Sequence, residues 1–146
     1  MADSSTIHAS AVLVGPKAVL IRGAAGAGKS QLVWDLLHSA LPLTRLVADD
    51  RAHIEACAGR LLVRPAPALA GLLEIRGLGI RSLPYETVAA VGLVVDLAAA
   101  DADRLPVPEA ETTTVEGISL PRLKVAPGAA ALPPVLAFLS TIPSGD

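Results

Sequence analysis

Aromatic residues and cysteine are scarce in this chain, and each scarcity excludes a class of structure. Aromatic side chains make up 2% of the 146 residues, whereas apolar residues make up 52%, so the core must be aliphatic, as in a parallel sheet covered by helices. The single cysteine, Cys57, rules out an internal disulfide and a zinc site made of several thiolates. A reducing cytoplasm is therefore the expected compartment.

The sequence also lacks an excess of positive charge and long apolar runs. Twelve Lys and Arg stand against fourteen Asp and Glu, which leaves no basic footprint for a nucleic-acid backbone. The apolar run over residues 88–100 contains Asp96 and is shorter than the ~20 residues of a spanning helix, and residues 1–6 do not resemble a signal peptide. We expect neither a nucleic-acid nor a membrane partner, and we expect self-association to cover surplus apolar surface.

The sequence does contain a glycine-rich motif between a strand and a helix. Residues 18–22 are typical of a buried strand, and residues 30–40 carry apolar side chains at helical spacing. Between them lies G-x-x-x-x-G-K-S, the P-loop pattern, whose backbone N–H groups surround a polyphosphate while its lysine reaches the outer phosphates and its serine binds Mg²⁺. A chance match in an Ala- and Gly-rich chain is the alternative, which the flanking strand and helix disfavour. The predicted nucleotide-binding residues are Gly23, Ala24, Ala25, Gly26, Ala27, Gly28, Lys29 and Ser30.

Two carboxylates follow the next predicted strand. Residues 45–48 are apolar enough for a short buried strand, and Asp49 and Asp50 end it. In an open parallel sheet, ligands lie at the carboxyl ends of the strands, so both acids are expected beside the P-loop. One acid would help to hold Mg²⁺ and the other would accept a proton from an attacking hydroxyl. The alternative is that the two aspartates only form a turn.

The remaining pattern predicts one α/β domain over residues 1–146, with residues 1–6 and 141–146 as disordered tails. Its sheet is expected to be mixed and largely parallel, with flanking helices. Glu74 and Arg76 alternate with apolar residues, which places them on one face of a strand, either in a site or on a solvated sheet edge. Further elements are predicted as strands over 7–14, 91–96 and 118–125, a hairpin over 53–57 and 60–64, and a helix over 133–139.

The motifs together resemble the catalytic, C-terminal domain of the HPr kinase/phosphorylase family, in the truncated form of proteobacterial lineages. The resemblance lies in His8 ahead of the P-loop, the P-loop itself, L-V-A-D-D-R at 46–51 and L-E-I-R-G-L-G-I at 73–80. Arg104 and residues 118–122 match more weakly. Gln31 stands where family members usually carry an acid. The resemblance implies a P-loop fold of the HPr kinase and PEP carboxykinase-like type.

The resemblance also implies a set of roles. Lys29 would bind the phosphates of ATP, and Ser30 and Glu74 would hold Mg²⁺. Asp50, with Asp49 beside it, would take the proton from a serine of an HPr-like phosphocarrier and return it in the reverse, phosphorolytic reaction. His8 would tune that carboxylate, and Arg104 would steady the transferred phosphoryl group. The resemblance also implies that this chain forms a homo-oligomer, a hexamer as in the family.

The resulting hypothesis is an ATP- and Mg²⁺-dependent protein serine kinase of the cytoplasm, acting within the phosphotransferase system. Two alternatives stay open at this point. A nucleotide-responsive binding module would dock a phosphocarrier without turning ATP over. A small-molecule P-loop kinase would need arginine-bearing lid segments, for which the sequence offers few residues after Arg81.

Overall fold

The structure is a computed structural model that describes residues 5–102 and 111–141. The strands are β1 (Ser5–Ile7), β2 (Ala9–Val14), β3 (Lys17–Arg22), β4 (Thr44–Ala48), β5 (Ala52–Cys57), β6 (Arg60–Pro65), β7 (Leu72–Ile75), β8 (Gly79–Ser82), β9 (Ala89–Asp96), β10 (Thr112–Val115) and β11 (Ile118–Lys124). The helices are α1 (Lys29–Leu37), α2 (Leu132–Ser140) and a 3-10 turn, Pro67–Leu69. In this part of the chain no helix is long and apolar enough to cross a membrane.

Within the described residues, nine strands form one mixed sheet, with β7 and β8 as a separate hairpin. The main path runs β1-β5-β6-β9-β3-β2-β4, and β11 joins β9. Strands β3, β9 and β11 pair in parallel. Because β2 is antiparallel to both β3 and β4, β4 runs in the same direction as β3. Strands β3, β4, β9 and β11 thus end at the same edge of the sheet.

The mixed sheet with flanking helices confirms the predicted fold class, but the expectation of a largely parallel sheet is wrong. Of the nine strand pairs that the structure describes, only two are parallel. The reason is the tight turns. Ala58 and Gly59 both have positive φ, as do Glu116 and Gly117, and two-residue turns of this kind join antiparallel neighbours. Parallel neighbours need a crossover of a dozen or more residues.

Aliphatic side chains fill both faces of the sheet, as the composition predicts. Helix α1 buries Leu32, Val33 and Leu36 against Val12 and Ile21 on one face. The other face holds a second cluster, which includes Leu20, Ile54, Leu61, Val63 and Val94. The helix α1 is thereby fixed on the sheet with its first residue next to the end of β3.

Three local predictions need correction. The predicted helix over 30–40 ends at Leu37. There the Ser39 hydroxyl donates to Leu36 O at 2.7 Å, so a side chain bonds a carbonyl of the last helical turn. The stretch over 72–81 is a hairpin, and Arg76 lies in its turn, so Glu74 and Arg76 do not share a strand face. Ser5 and Thr6, predicted as part of a tail, belong to β1, which pairs with β5.

Candidate active site

The P-loop connects the end of β3 to the start of α1. Gly26 has φ 84° and Gly28 has φ 103°, a left-handed backbone that a side chain would strain. Gly23 is needed for a different reason. A Cβ there would lie 3.1 Å from the Ala27 Cβ and 3.2 Å from the Leu97 Cβ, so the loop packs closely on the end of β9. Its backbone shape is therefore set by two glycine conformations and one close contact.

The first turn of α1 is available to an anion. Gly28 occupies the N-cap position, so no side chain caps the helix, and its first turn contains no acidic residue. The first backbone N–H groups of a helix have no partner inside the helix and carry the positive end of its dipole. A helix that begins in this way on a glycine loop suits a phosphate group.

Lys29 is buried, with 6% of its surface exposed. Its ammonium donates to Gly23 O at 2.7 Å and to Ala24 O at 3.2 Å. The lysine thus folds back over the loop and holds its two ends together. In the P-loop pattern, this ammonium is the group that reaches the outer phosphates.

Asp49 connects the end of β4 directly to the P-loop. This carboxylate is 7% exposed, and its Oδ1 accepts hydrogen bonds from Ser30 Oγ at 2.7 Å and from Ser10 Oγ at 2.8 Å. Its Oδ2 accepts the backbone N–H of Glu74 at 3.3 Å. All three donors are neutral. The structure therefore brings Ser30, Asp49 and the backbone of Glu74 together.

Asp50 differs from Asp49 in that its side chain is exposed. Its φ is 68°, and the Arg51 N–H donates to Asp49 O at 2.8 Å, which closes a three-residue turn around Asp50. Such a turn with positive φ at its centre is rare and strained, and backbone strain clusters at functional sites. The Asp50 N–H donates to Ser10 Oγ at 3.0 Å. A strained, anchored backbone thus presents the exposed Asp50 carboxylate to solvent.

The other predicted site residues are His8, Glu74 and Arg104. The His8 Nε2 lies 3.1 Å from an Arg51 guanidinium nitrogen, and a guanidinium only donates, so Nε2 is the acceptor of this contact. Its contact is thus with Arg51 and not with the Asp50 carboxylate. The Glu74 side chain is exposed, and the described residues contain no cluster of three His, Cys, Asp or Glu side chains that would hold a metal alone. Arg104 lies outside the described residues.

A charged network beside the P-loop was not predicted. Arg22, the last residue of β3, donates to Asp96 at 2.7 and 2.8 Å, and Arg122 donates to both Asp96 and Asp101. Burial raises the pKa of Asp96, but the hydrogen bonds and charges of Arg22 and Arg122 outweigh it and hold that pKa below its usual value. The hydrogen bond from Arg122 lowers the pKa of Asp101 to about 2. This charged network has only a weak signal in the sequence, because the residues that form it are far apart along the chain.

Known proteins match this arrangement of motifs. A family model described as the HPr serine kinase C-terminal domain matches residues 1–130. The chain belongs to that family. Among solved structures, the Hpr(Ser) kinase/phosphatase from Coxiella burnetii has a TM-score of 0.67 and 26% identity, covering 84% of this chain and 85% of that one. The predicted resemblance to HPr kinases is thus confirmed.

Curated relatives of this family are longer proteins. The HPr kinase/phosphorylase of Limosilactobacillus reuteri is 33% identical over 137 residues, which cover 86% of this chain and 42% of that protein. The HPr kinase/phosphorylase of Geobacillus thermodenitrificans is 36% identical over 140 residues, which cover 86% and 43%. The chain thus spans less than half the length of these relatives.

Proposed function

We propose that this chain is a protein serine kinase that transfers the γ-phosphoryl group of ATP, with Mg²⁺, to an HPr-like phosphocarrier. The observation that carries the proposal is the 2.7 Å hydrogen bond from Ser30 Oγ to Asp49 Oδ1. It joins the P-loop to the acid pair that ends β4, so that phosphate-binding groups and carboxylates share one edge of the sheet. The names of the relatives support the same activity.

The donor set at this edge fits Mg²⁺. Magnesium in kinases takes oxygen ligands, commonly one or two carboxylates together with substrate phosphates and waters. Ser30 and Asp49 offer a hydroxyl and a carboxylate already in contact, and Glu74, whose backbone N–H donates to Asp49, has an exposed carboxylate. We propose these three residues as its ligands. The chemistry that a bound Mg²⁺ supplies is neutralisation of charge on the phosphate oxygens.

Lys29 and Asp50 each have one task in the proposed reaction. Lys29 leaves the carbonyls of Gly23 and Ala24 to bind the outer phosphates. Asp50 accepts the proton of the substrate serine hydroxyl while that oxygen attacks the γ-phosphorus. The bond from that phosphorus to the bridging oxygen breaks, and ADP leaves with the electron pair. In the phosphorolytic reaction, inorganic phosphate attacks the phosphorus of phosphoserine and the bond from that phosphorus to the serine oxygen breaks. Asp50 returns the proton to the serine oxygen, and pyrophosphate is the second product.

Transfer of labelled phosphate from ATP to purified HPr tests the proposal. Lys29→Ala and Asp50→Asn should each lower the rate at least about 10²-fold, the usual contribution of a positioned base or a phosphate-binding cation. Asp35→Asn is the matched control, since Asp35 lies on the exposed side of α1 and contacts Gln31. Equal rates in all four proteins would refute the kinase assignment.

One observation favours a second function. Gln31 leaves the first turn of α1 without an acidic residue, and its amide donates to Asp35 at 2.9 Å instead of facing the P-loop. A less negative metal site would suit a module that binds nucleotide without turnover. Nucleotide binding by calorimetry, with no phosphate transferred to HPr, would support this second function.

We further propose a cytoplasmic location and a homo-oligomer, a hexamer as in the family. Exposed apolar side chains, among them Ile80 and Leu78 on the β7–β8 hairpin, provide surface for self-association. Sedimentation of the purified chain would test the hexamer, which a monomer at micromolar concentration would contradict.

A further inference from the structure

Ser10 is a buried polar residue in a strand of apolar neighbours. Among the residues that the structure describes, the buried polar or charged side chains are Ser10, Lys29 and Asp49. Ala9, Ala11 and Val12 surround Ser10 along β2, and its own exposure is 0%. A buried hydroxyl is costly without partners, so its hydrogen bonds matter.

The hydroxyl of Ser10 bridges the two acids of the site. It donates to Asp49 Oδ1 at 2.8 Å and accepts the backbone N–H of Asp50 at 3.0 Å. A serine hydroxyl has one proton, and that proton is used on Asp49, because Asp50 N–H can only donate. One oxygen therefore fixes the side chain of Asp49 and the backbone of Asp50 together.

A β-bulge brings Ser10 to this position. Ala11 pairs with Ala48 and Val12 pairs with Leu46, so β4 has one extra residue, Val47, against β2. The extra residue shifts the end of β4 by one position and sets Asp49 beside Ser10. Bulges commonly re-aim side chains beside active sites.

We propose that Ser10 is a positioning residue that couples the metal-binding and proton-accepting carboxylates of the site. The inference rests on the proposed kinase function. Without the hydroxyl, the Asp50 N–H loses its acceptor, and the strained turn that presents the Asp50 carboxylate relaxes. Asp49 at the same time loses one of the two hydroxyl donors on Oδ1. The expected effect falls mainly on kcat, and the Mg²⁺-independent part of nucleotide binding should not change, because the P-loop itself is untouched.

The test compares Ser10→Ala with Ser10→Thr in phosphate transfer to HPr. Ser10→Ala should lower kcat about 10- to 100-fold, as for other residues that orient a metal ligand, while KM for ATP stays within about threefold. Ser10→Thr keeps the hydroxyl and should recover most of kcat. Ser39→Ala is the matched control, because it removes a hydroxyl that donates to Leu36 O and accepts the Leu41 N–H at the far end of α1 from the site. An unchanged kcat in Ser10→Ala, or no recovery in a folded Ser10→Thr, would overturn the proposal.

A second readout does not depend on transfer. In the nucleotide-free protein, the NMR signal of the Asp50 amide should move and its hydrogen exchange should quicken in Ser10→Ala, with the P-loop amides unchanged. The Mg²⁺ dependence of ADP affinity should also weaken. If the unmodified chain transfers no phosphate, the kinase function fails, and these two measurements still decide the role of Ser10. Unchanged Asp50 exchange and unchanged Mg²⁺ dependence would overturn it.

Discussion

Two aspartates at the same edge of the sheet have opposite surroundings. Asp49 follows β4, and Asp96 ends β9, which runs in the same direction. Asp49 accepts hydrogen bonds from two hydroxyls and one backbone N–H, all neutral. Asp96 accepts hydrogen bonds from two guanidinium groups, those of Arg22 and Arg122. Among the described residues, Asp49 has no cationic hydrogen-bond partner, whereas Asp96 is already neutralised by two arginines.

From this contrast we expect Asp49 to serve function and Asp96 to serve stability at the same edge of the sheet. A neutralised acid binds a metal poorly, because its lone pairs and its field are used within the fold. Asp96 instead ties β3, β9 and β11 together where the P-loop begins, and the Leu97 N–H donates to Arg22 O at 2.9 Å in the same place. We therefore expect loss of Asp49 to affect chemistry and loss of Asp96 to affect unfolding.

The largest expected effect is that of Asp49→Asn on transfer. The rate should fall about 10²- to 10³-fold, since one charge of a preorganised site is removed. The midpoint of urea unfolding should fall less than in Asp96→Asn, because the asparagine oxygen still accepts the two hydroxyls and only the 3.3 Å bond from the Glu74 N–H loses its acceptor. Rates with HPr and equilibrium unfolding of the same preparation measure both. Asp96→Asn in the same assay should stay within about tenfold of the unmodified rate, and the reverse order of the two variants would contradict the contrast.

Asp96→Asn should instead lower the free energy of unfolding by about 2–3 kcal/mol, as charged hydrogen bonds in a partly buried network are lost. Urea titration followed by the fluorescence of Trp34, the single tryptophan, gives this value. Asp101→Asn is the control, because Asp101 contacts the same Arg122 from an exposed position and should cost less. Equal losses in the two variants would show that burial of Asp96 has no part in its effect.

Much of the candidate site followed from local sequence. The strand, glycine loop and helix of the P-loop are contiguous, and the end of β4 is marked by the acid pair itself. The network of Asp96 was not predictable in this way, because Arg22 lies 74 positions from Asp96 and Arg122 lies 26 positions from it. Such pairs arise only once the register of β3, β9 and β11 is set.

Ser10 and His8 show the same limit at short range. Ser10 reaches Asp49 only because β4 bulges at Val47, and nothing in the pattern of residues 44–48 indicates a bulge. His8, which falls within the strand predicted over 7–14, lies between β1 and β2, and the neighbour it contacts depends on the turn at Asp50, which orients Arg51 toward it. Strand pairing and turn conformation decide these contacts, and both are tertiary properties.

Acid should weaken the Asp96 network, by less than Asp96→Asn does, because a protonated carboxyl keeps part of its hydrogen bonding. The pKa values of Asp96 and Asp101 are lower in the folded chain than the ordinary value near 4, that of Asp101 being about 2. Their stabilising contribution is therefore complete above about pH 4 and is lost as the pH falls toward 2. The urea midpoint should drop across this window, and the double variant Asp96→Asn with Asp101→Asn should flatten the drop. An equally steep drop in the double variant would contradict this assignment.

The smallest expected effect is that of Gln31→Glu, which adds an exposed carboxylate next to Ser30. The substitution would lose the hydrogen bond to Asp35 and place a like charge four residues from it, each costing about 0.2–0.5 kcal/mol, while the N-terminal dipole of α1 favours the new charge by about 0.3–1 kcal/mol. The costs and the gain nearly cancel, so the free energy of unfolding should change by less than about 0.5 kcal/mol. Because Gln31 is exposed and Asp49 is buried, Gln31→Glu should lower the Mg²⁺ concentration for half-maximal transfer only about twofold or less. A tenfold change would mean that exposed charge at this edge matters as much as the buried carboxylate of Asp49.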